Sequence, residues 1–349
     1  GGRALFVLLT IKILYVRLNS MKITVLGDGG WGTSLALLLK QKGFDVALWG
    51  AFKDNIDAIK AHKENRKFLP GIKVPASIQL GTDMRFVCED ANLIIFAIPS
   101  RFLRGALMKN IDTLKNSHAG FISVIKGIEQ KTLKRMSELI LEVLGERELA
   151  VLSGPSIAPE VARGLPTTIA VASSDEVFAR RVRDIFRTER FRVYTNKDVV
   201  GVELGGALKN IMAIAAGISD GLEFGANTKA AILTRGLLEM ARLGVALGAS
   251  QATFNGLSGL GDLITTCVSL EGRNRGFGEK IGKGQKAEDL LKKSIAEIEG
   301  AWTSKAALEL GRKHKLDLPI TQQVYSVIFE KKSPLQAVNE LMSREPKAE

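Results

Sequence analysis

Cysteine is almost missing from this chain. Only Cys88 and Cys267 occur in 349 residues, which excludes a disulfide framework and a cysteine-built zinc site and suits a reducing compartment. Histidine is equally sparse. His62, His118 and His314 are far apart with no ligand spacing, so no metal site is expected. Aromatic residues make up 6%, too few for a base-stacking surface. No uncharged apolar stretch reaches the roughly twenty residues that a membrane span needs. What is left is an ordinary globular composition, 46% apolar and 25% charged, in a chain long enough for about two domains.

Two surpluses stand against these shortages. Lysine and arginine exceed the acids by twelve, a balance that attracts phosphates, nucleic acid or acidic lipid. The basic residues are spread along the chain instead of forming a stripe, so nucleic acid is not an expected partner. Glycine, at 35 residues, is the other surplus, and its positions are informative.

Residues 1–20 read GGRALFVLLTIKILYVRLNS. Their apolar run over 4–11 is cut by Lys12, is too short to span a membrane, and leads to no small-x-small cleavage site. They are expected to be an upstream extension, with the fold beginning at Met21. The protein is expected in the cytoplasm and not as an integral membrane protein.

From residue 21 short apolar runs alternate with amphipathic stretches. Strands are expected at 22–26, 45–49, 93–98, 120–125, 149–152, 167–172 and 191–194, with helices at 33–42 and 131–144. Continuous apolar strands alternating with helices imply a parallel sheet covered on both faces. Beyond Asp198 the pattern is helical throughout, at 198–219, 228–248, 286–296, 302–314 and 321–331. The expected architecture is α/β: a dinucleotide-binding domain over 21–197, followed by an all-helical substrate and catalytic domain over 198–349.

Directly after the first strand stands Gly27-Asp28-Gly29-Gly30-Trp31-Gly32. This G-x-G-x-x-G sits between a strand and a helix, where Gly27 permits the turn, Gly29 admits a pyrophosphate and Gly32 allows close helix packing. It marks a Rossmann-type domain. The second strand ends in Trp49-Gly50-Ala51-Phe52-Lys53, without the acid that normally takes the ribose hydroxyl of NAD. Both NADH and NADPH are therefore expected to be used, with Lys53 available to a 2′-phosphate.

Four further segments look chemical. Lys126 and the Ser153-Gly154-Pro155-Ser156 segment follow buried strands, at the edge where ligands sit in open α/β sheets. Lys209 lies in a helix of small residues, where crowding and desolvation would lower its pKa. Gly259–Asp262 and Gly272–Arg275 are expected as compact polar loops. For Lys126, the serine segment, Asp262, Arg273 and Arg275, a solvated charge, a plain turn or a helix cap remain open alternatives, and for Lys209 a side chain that reaches from its helix to water.

The stretches VLGDGGWGTSLA, FLPGIKVP, SVIKGIEQ, VLSGPSIAPEVARGLPT, GVELGGALKN, FNGLSGLGDLITTC, GRNRGFG and IEGAWT together resemble the bacterial NAD(P)-dependent glycerol-3-phosphate dehydrogenase family. The resemblance runs over about 21–345. It implies reduction of dihydroxyacetone phosphate to sn-glycerol 3-phosphate with NAD or NADP, feeding glycerophospholipid synthesis, in a protein compatible with a homodimer. It implies that Lys209 passes the proton. It implies that Lys126, Gly154, Ser156, Lys209, Asp262, Gly272, Arg273 and Asn274 bind substrate, with Arg273 and Asn274 on the phosphate. Gly30, Trp31, Ala51, Lys126, Ala158, Arg273 and Glu299 would border the nucleotide beside Gly27, Gly29 and Gly32. The family usually carries serine where Gly30 and Gly272 stand, and histidine or arginine where Ala51 and Phe52 stand. A hydroxyacid dehydrogenase of the same two-domain plan is the nearest rival, separated by whether the substrate carries a phosphate or a carboxylate.

Overall fold

A computed structural model describes residues 21–345; the extension expected over 1–20 lies outside the described residues. Eight strands form one sheet: β1 (Lys22–Leu26), β2 (Asp45–Trp49), β3 (Gln79–Gly81), β4 (Leu93–Phe96), β5 (Gly120–Ser123), β6 (Leu149–Ser153), β7 (Thr167–Ala172) and β8 (Phe191–Asn196). Their spatial order is β3-β2-β1-β4-β5-β6-β7-β8. Ile23 of β1 faces Val46 of β2 on one side and Leu93 of β4 on the other. The chain therefore reverses its winding direction at β1 and β4, and the crevice of an open α/β sheet lies at that point, outside the carboxyl ends of the strands. Both faces are covered. Leu35, Leu39, Phe178 and Val182 pack on one, and Leu103, Leu107, Leu139 and Ile140 on the other.

The sheet is not wholly parallel as expected. β6 and β7 pair antiparallel, with Leu152 opposite Val171, while β7 and β8 are parallel to each other. The cause lies in the connection. After β6 the chain stays at the carboxyl edge, where the short Ala158–Ala162 helix is fastened to the Gly30–Gln41 helix by the Ser34 hydroxyl donating to Ala158 O at 2.8 Å. Starting from that edge, β7 must run back the other way. β3 was not legible either, because three residues with one buried side carry no periodicity.

The glycine loop has the strain its spacing demands. Gly27 has φ +129°, and a Cβ there would lie 2.5 Å from Ala97 O. A methyl on Gly32 would lie 1.9 Å from Gly27 O, so the helix can start against the strand only as glycine. Gly32→Ala is expected to push helix and strand apart at a cost of about 1–3 kcal/mol, as for other overpacked sites, and to weaken NADH binding. An unchanged denaturation midpoint would contradict this packing.

The second unit is built around the 23-residue helix Val199–Gly221. It is long and apolar enough to cross a membrane, yet 83% of its most apolar window is buried inside the protein. Its small residues serve packing. Cβ atoms on Gly217 and Gly278 would fall 1.9 Å from Arg275 O and 2.1 Å from Ile214 O, so this helix and Arg273–Gly282 meet backbone to backbone. Two expected loops are therefore helical. Leu257–Gly261 is a π-helical turn running into the helix Asp262–Val268, and Gly272 is the N-cap of Arg273–Gly282. Their glycines signal close helix packing, not chain reversal.

Buried carboxylates tie the parts together. Glu203 of the central helix accepts from Arg135 at 2.8 Å and from Ser137 N at 2.8 Å, beside the Met136–Leu144 helix. The expected helix over 131–144 thus begins only at Met136.

Candidate active site

Three elements bring basic residues to one buried acid. Lys126 stands just after β5, Lys209 midway along the central helix, and Asp262 at the start of its own helix. Asp262 Oδ1 lies 2.7 Å from Lys209 Nζ, and Oδ2 lies 2.7 Å from Lys126 Nζ. Asp262 is 1% exposed and Lys209 6%, so that half of the bridge is desolvated, while the Lys126 side chain is half-buried. Lys126 also donates to Gly154 O at 2.9 Å and to the Ser156 hydroxyl at 3.4 Å. The sequence permits this convergence through Gly205 and Gly206. Cβ atoms there would stand 2.4 Å from Ser258 O and 2.3 Å from Ser153 Oγ, so the central helix can touch the π-helical turn and the end of β6 together.

The electrostatics follow from that burial. The Lys209 ammonium is pushed down to about 8, chiefly by desolvation, with Lys126 adding repulsion and Asp262 opposing both. Lys209 also donates to the Thr266 hydroxyl. Burial pushes the neighbouring Cys267 thiol up to about 12, leaving it neutral at physiological pH.

Thr266 was missed in the sequence, although its place four residues after Asp262, one turn along the same helix face, was a signal. Asn210 follows Lys209 on the central helix. Its Nδ2 donates to Lys126 O at 3.1 Å, and its Oδ1 accepts from Asn274 Nδ2 at 3.0 Å. Asn274 Oδ1 accepts in turn from Gly300 N at 3.0 Å. These bonds set the orientation of Asn274 and leave one of its two amide hydrogens without a partner among the described residues. Arg273, the first residue of its helix, is exposed and forms no ion pair among the described residues. Arg275 is held by Asp220 at 2.7 Å.

The glycine-loop residues stand between the carboxyl end of β1 and the Gly30–Gln41 helix. Open space lies where a Cβ on Gly29 would sit, and Gly29 caps the Gly30–Gln41 helix, whose free N–H groups suit a pyrophosphate. These residues fit a dinucleotide. A Cβ on Gly30 would stand 2.7 Å from Phe68 O and 3.7 Å from Ala158 Cβ. The loop over 63–75 therefore covers Gly30 too closely for a serine, which explains the glycine. Gly272 is also tight, 3.1 Å from two carbonyls at its would-be Cβ. Trp31 is half-buried, and Ala51 is exposed at the end of β2. Lys53 is paired with Asp57 on its own helix.

Glu299 ties the helical unit to the segments that follow β4 and β5. It opens the Glu299–Lys313 helix, accepts from Ser100 N at 2.9 Å and from the Ser100 hydroxyl, and lies against Gly127. Arg101 adds a second clasp, 2.9 Å from Glu297 and stacked 3.9 Å over the Trp302 ring.

A phosphate-binding turn on a Rossmann sheet, closed by a helical unit that presents a buried lysine of lowered pKa, defines a two-domain nicotinamide-dinucleotide dehydrogenase. The chain belongs to the NAD-dependent glycerol-3-phosphate dehydrogenase family. The family's N-terminal model matches residues 22–179 and its C-terminal model residues 198–339. It is 48% identical over 326 residues to glycerol-3-phosphate dehydrogenase [NAD(P)+] of Bacillus pumilus, covering 93% of this chain and 94% of that one. The enzyme of the same name from Pelotomaculum thermopropionicum is 47% identical over 328 residues, with 93% and 94% covered. The crystal structure of glycerol-3-phosphate dehydrogenase from Coxiella burnetii superposes with a TM-score of 0.90 at 38% identity, covering 93% of this chain and all of that one.

Proposed function

We propose that this protein catalyses reversible reduction of dihydroxyacetone phosphate to sn-glycerol 3-phosphate with a nicotinamide dinucleotide, in the cytoplasm, supplying glycerophospholipid synthesis. The observation that carries this reading is the Lys126–Asp262–Lys209 bridge, in which a buried lysine of lowered pKa is held by a buried acid. The dinucleotide, when bound, supplies the hydride for the carbonyl carbon. Lys209 gives its proton to the carbonyl oxygen in reduction and takes it back in oxidation. A pKa of about 8 suits both directions near neutral pH. Asp262 holds the ammonium in place, and Lys126, Gly154 and Ser156 line the same pocket. Arg273 at its helix N-terminus takes the phosphate, helped by the N–H groups of that first turn. Asn274 positions the helix through Asn210 and Gly300.

Turnover tests the reading directly. NADH should be consumed with dihydroxyacetone phosphate and not with a small 2-keto acid. Turnover of the keto acid alone would favour the hydroxyacid rival. Arg273→Lys keeps the charge and loses the planar fork. It should raise KM for dihydroxyacetone phosphate by the equivalent of about 1–3 kcal/mol, the range for a charge-assisted pair. An unchanged KM with normal kcat would remove Arg273 from the phosphate site.

A further inference from the structure

The position that reads the adenosine ribose in this fold is the end of β2, and Gly50, Ala51, Phe52 and Lys53 put no acid there. The structure nevertheless places a carboxylate in that spot. Asp28, the second residue of the glycine loop, turns its side chain towards Gly50. A Cβ on Gly50 would stand 2.5 Å from Asp28 Oδ2 and 2.7 Å from its Cγ. Oδ2 accepts from Asn55 Nδ2 at 2.6 Å, on the Lys53–His62 helix that follows β2. Asn65 fastens the same turn from the other side, donating to Asp28 O at 2.7 Å. Oδ1 accepts no hydrogen bond from another residue among the described residues. Gly50 and Asp28 thus form one device, since any side chain at 50 would occupy the space of the carboxylate.

We propose that Asp28 determines dinucleotide specificity: from the glycine loop it supplies the carboxylate that the strand end lacks, accepts a hydroxyl of the adenosine ribose and repels a 2′-phosphate. The protein then prefers NADH to NADPH. This rests on the dinucleotide-dehydrogenase reading and narrows the expectation that both cofactors are used alike. Burial raises the Asp28 pKa, while Asn55, its own backbone N–H and the nearby Lys67 ammonium favour the charged form. Lys67 also sets the sign of the effect in a variant. Once the carboxylate is neutral, the remaining lysine charge makes the same pocket attractive to a 2′-phosphate. Lys53 contributes less, because Asp57 offsets it.

The test is equilibrium binding of NADH and of NADPH to the full chain without substrate, followed by fluorescence, with melting temperatures alongside. Wild type should bind NADH at least ~10-fold more tightly, since an uncompensated like-charge contact costs several kcal/mol. Asp28→Asn keeps the shape and an oxygen for Asn55, and should lower the NADPH-to-NADH Kd ratio by ~10-fold or more with little change in Tm. Asp28→Ser gives the same reading should the asparagine variant fold poorly. Equal wild-type affinities, or a ratio unmoved in both variants, would overturn the proposal and leave Asp28 as a strut of the loop. Failure of the wild type to bind either dinucleotide would overturn the underlying reading and the proposal with it.

Discussion

Lys209→Met is expected to lower kcat by ~10²–10⁴, the usual contribution of a positioned acid–base group, while the fold and NADH affinity survive. Methionine preserves the length and apolar stem of a side chain that is 6% exposed, packed in a helix of small residues. What it removes is the one proton that can pass either way near neutral pH. Asp262 keeps Lys126 as its cationic partner, 2.7 Å away, so the buried carboxylate is not left alone. Lys209→Arg should fail as well, because a guanidinium holds its proton far above neutral pH. Both variants are to be compared by kcat, by NADH binding and by Tm. Near-normal kcat in the methionine variant would exclude Lys209 and turn attention to Lys126.

The second large effect is on stability. Asp262→Ala should destabilise the protein by about 3–5 kcal/mol, the cost of removing one partner from a buried ion pair. Two ammonium groups would then face each other across a pocket with no counter-charge. The sign for Lys209 is fixed by its neighbours. Asp262 is the group that raises its pKa, and burial and Lys126 lower it. Without the acid the pKa falls below its present value of about 8, so a smaller share of Lys209 carries the proton at neutral pH. Reduction should therefore suffer more than the stability loss alone explains. Denaturant unfolding gives the first quantity. Asp262→Asn, which preserves the shape, separates the charge from the packing. A variant as stable as the wild type would show that the bridge is not desolvated as described.

Much of this architecture was legible because burial leaves a simple trace. Leu93–Phe96 reads LIIF and is wholly buried, and the 23-residue central helix announces itself by length. The antiparallel entry of β7 was not legible, since it depends on a contact between Ser34 and Ala158 that lies 124 residues apart in sequence. The loops expected at 259–262 and 272–275 are a π-helical turn and helix starts instead. Glycine usually breaks helices, and here it admits backbone-to-backbone packing that only the three-dimensional arrangement reveals. In the candidate site, Lys126, Lys209 and Asp262 stood out one by one in the sequence, whereas their common bridge follows from geometry alone. The hydrogen bonds that orient Asn274, to Asn210 and Gly300, likewise join segments far apart in sequence and left no trace in it.

In the proposed mechanism one buried lysine, its pKa lowered to about 8, passes the proton in both directions. Its most direct test is the pH dependence of kcat measured both ways on the wild-type enzyme. Reduction requires the ammonium, so its kcat should fall as pH rises through about 8. Oxidation requires the free amine, so its kcat should fall as pH drops through the same value. Mirror-image profiles sharing one apparent pKa, absent in Lys209→Met, are the predicted result. Profiles that bend in the same direction, or that persist in the methionine variant, would contradict it.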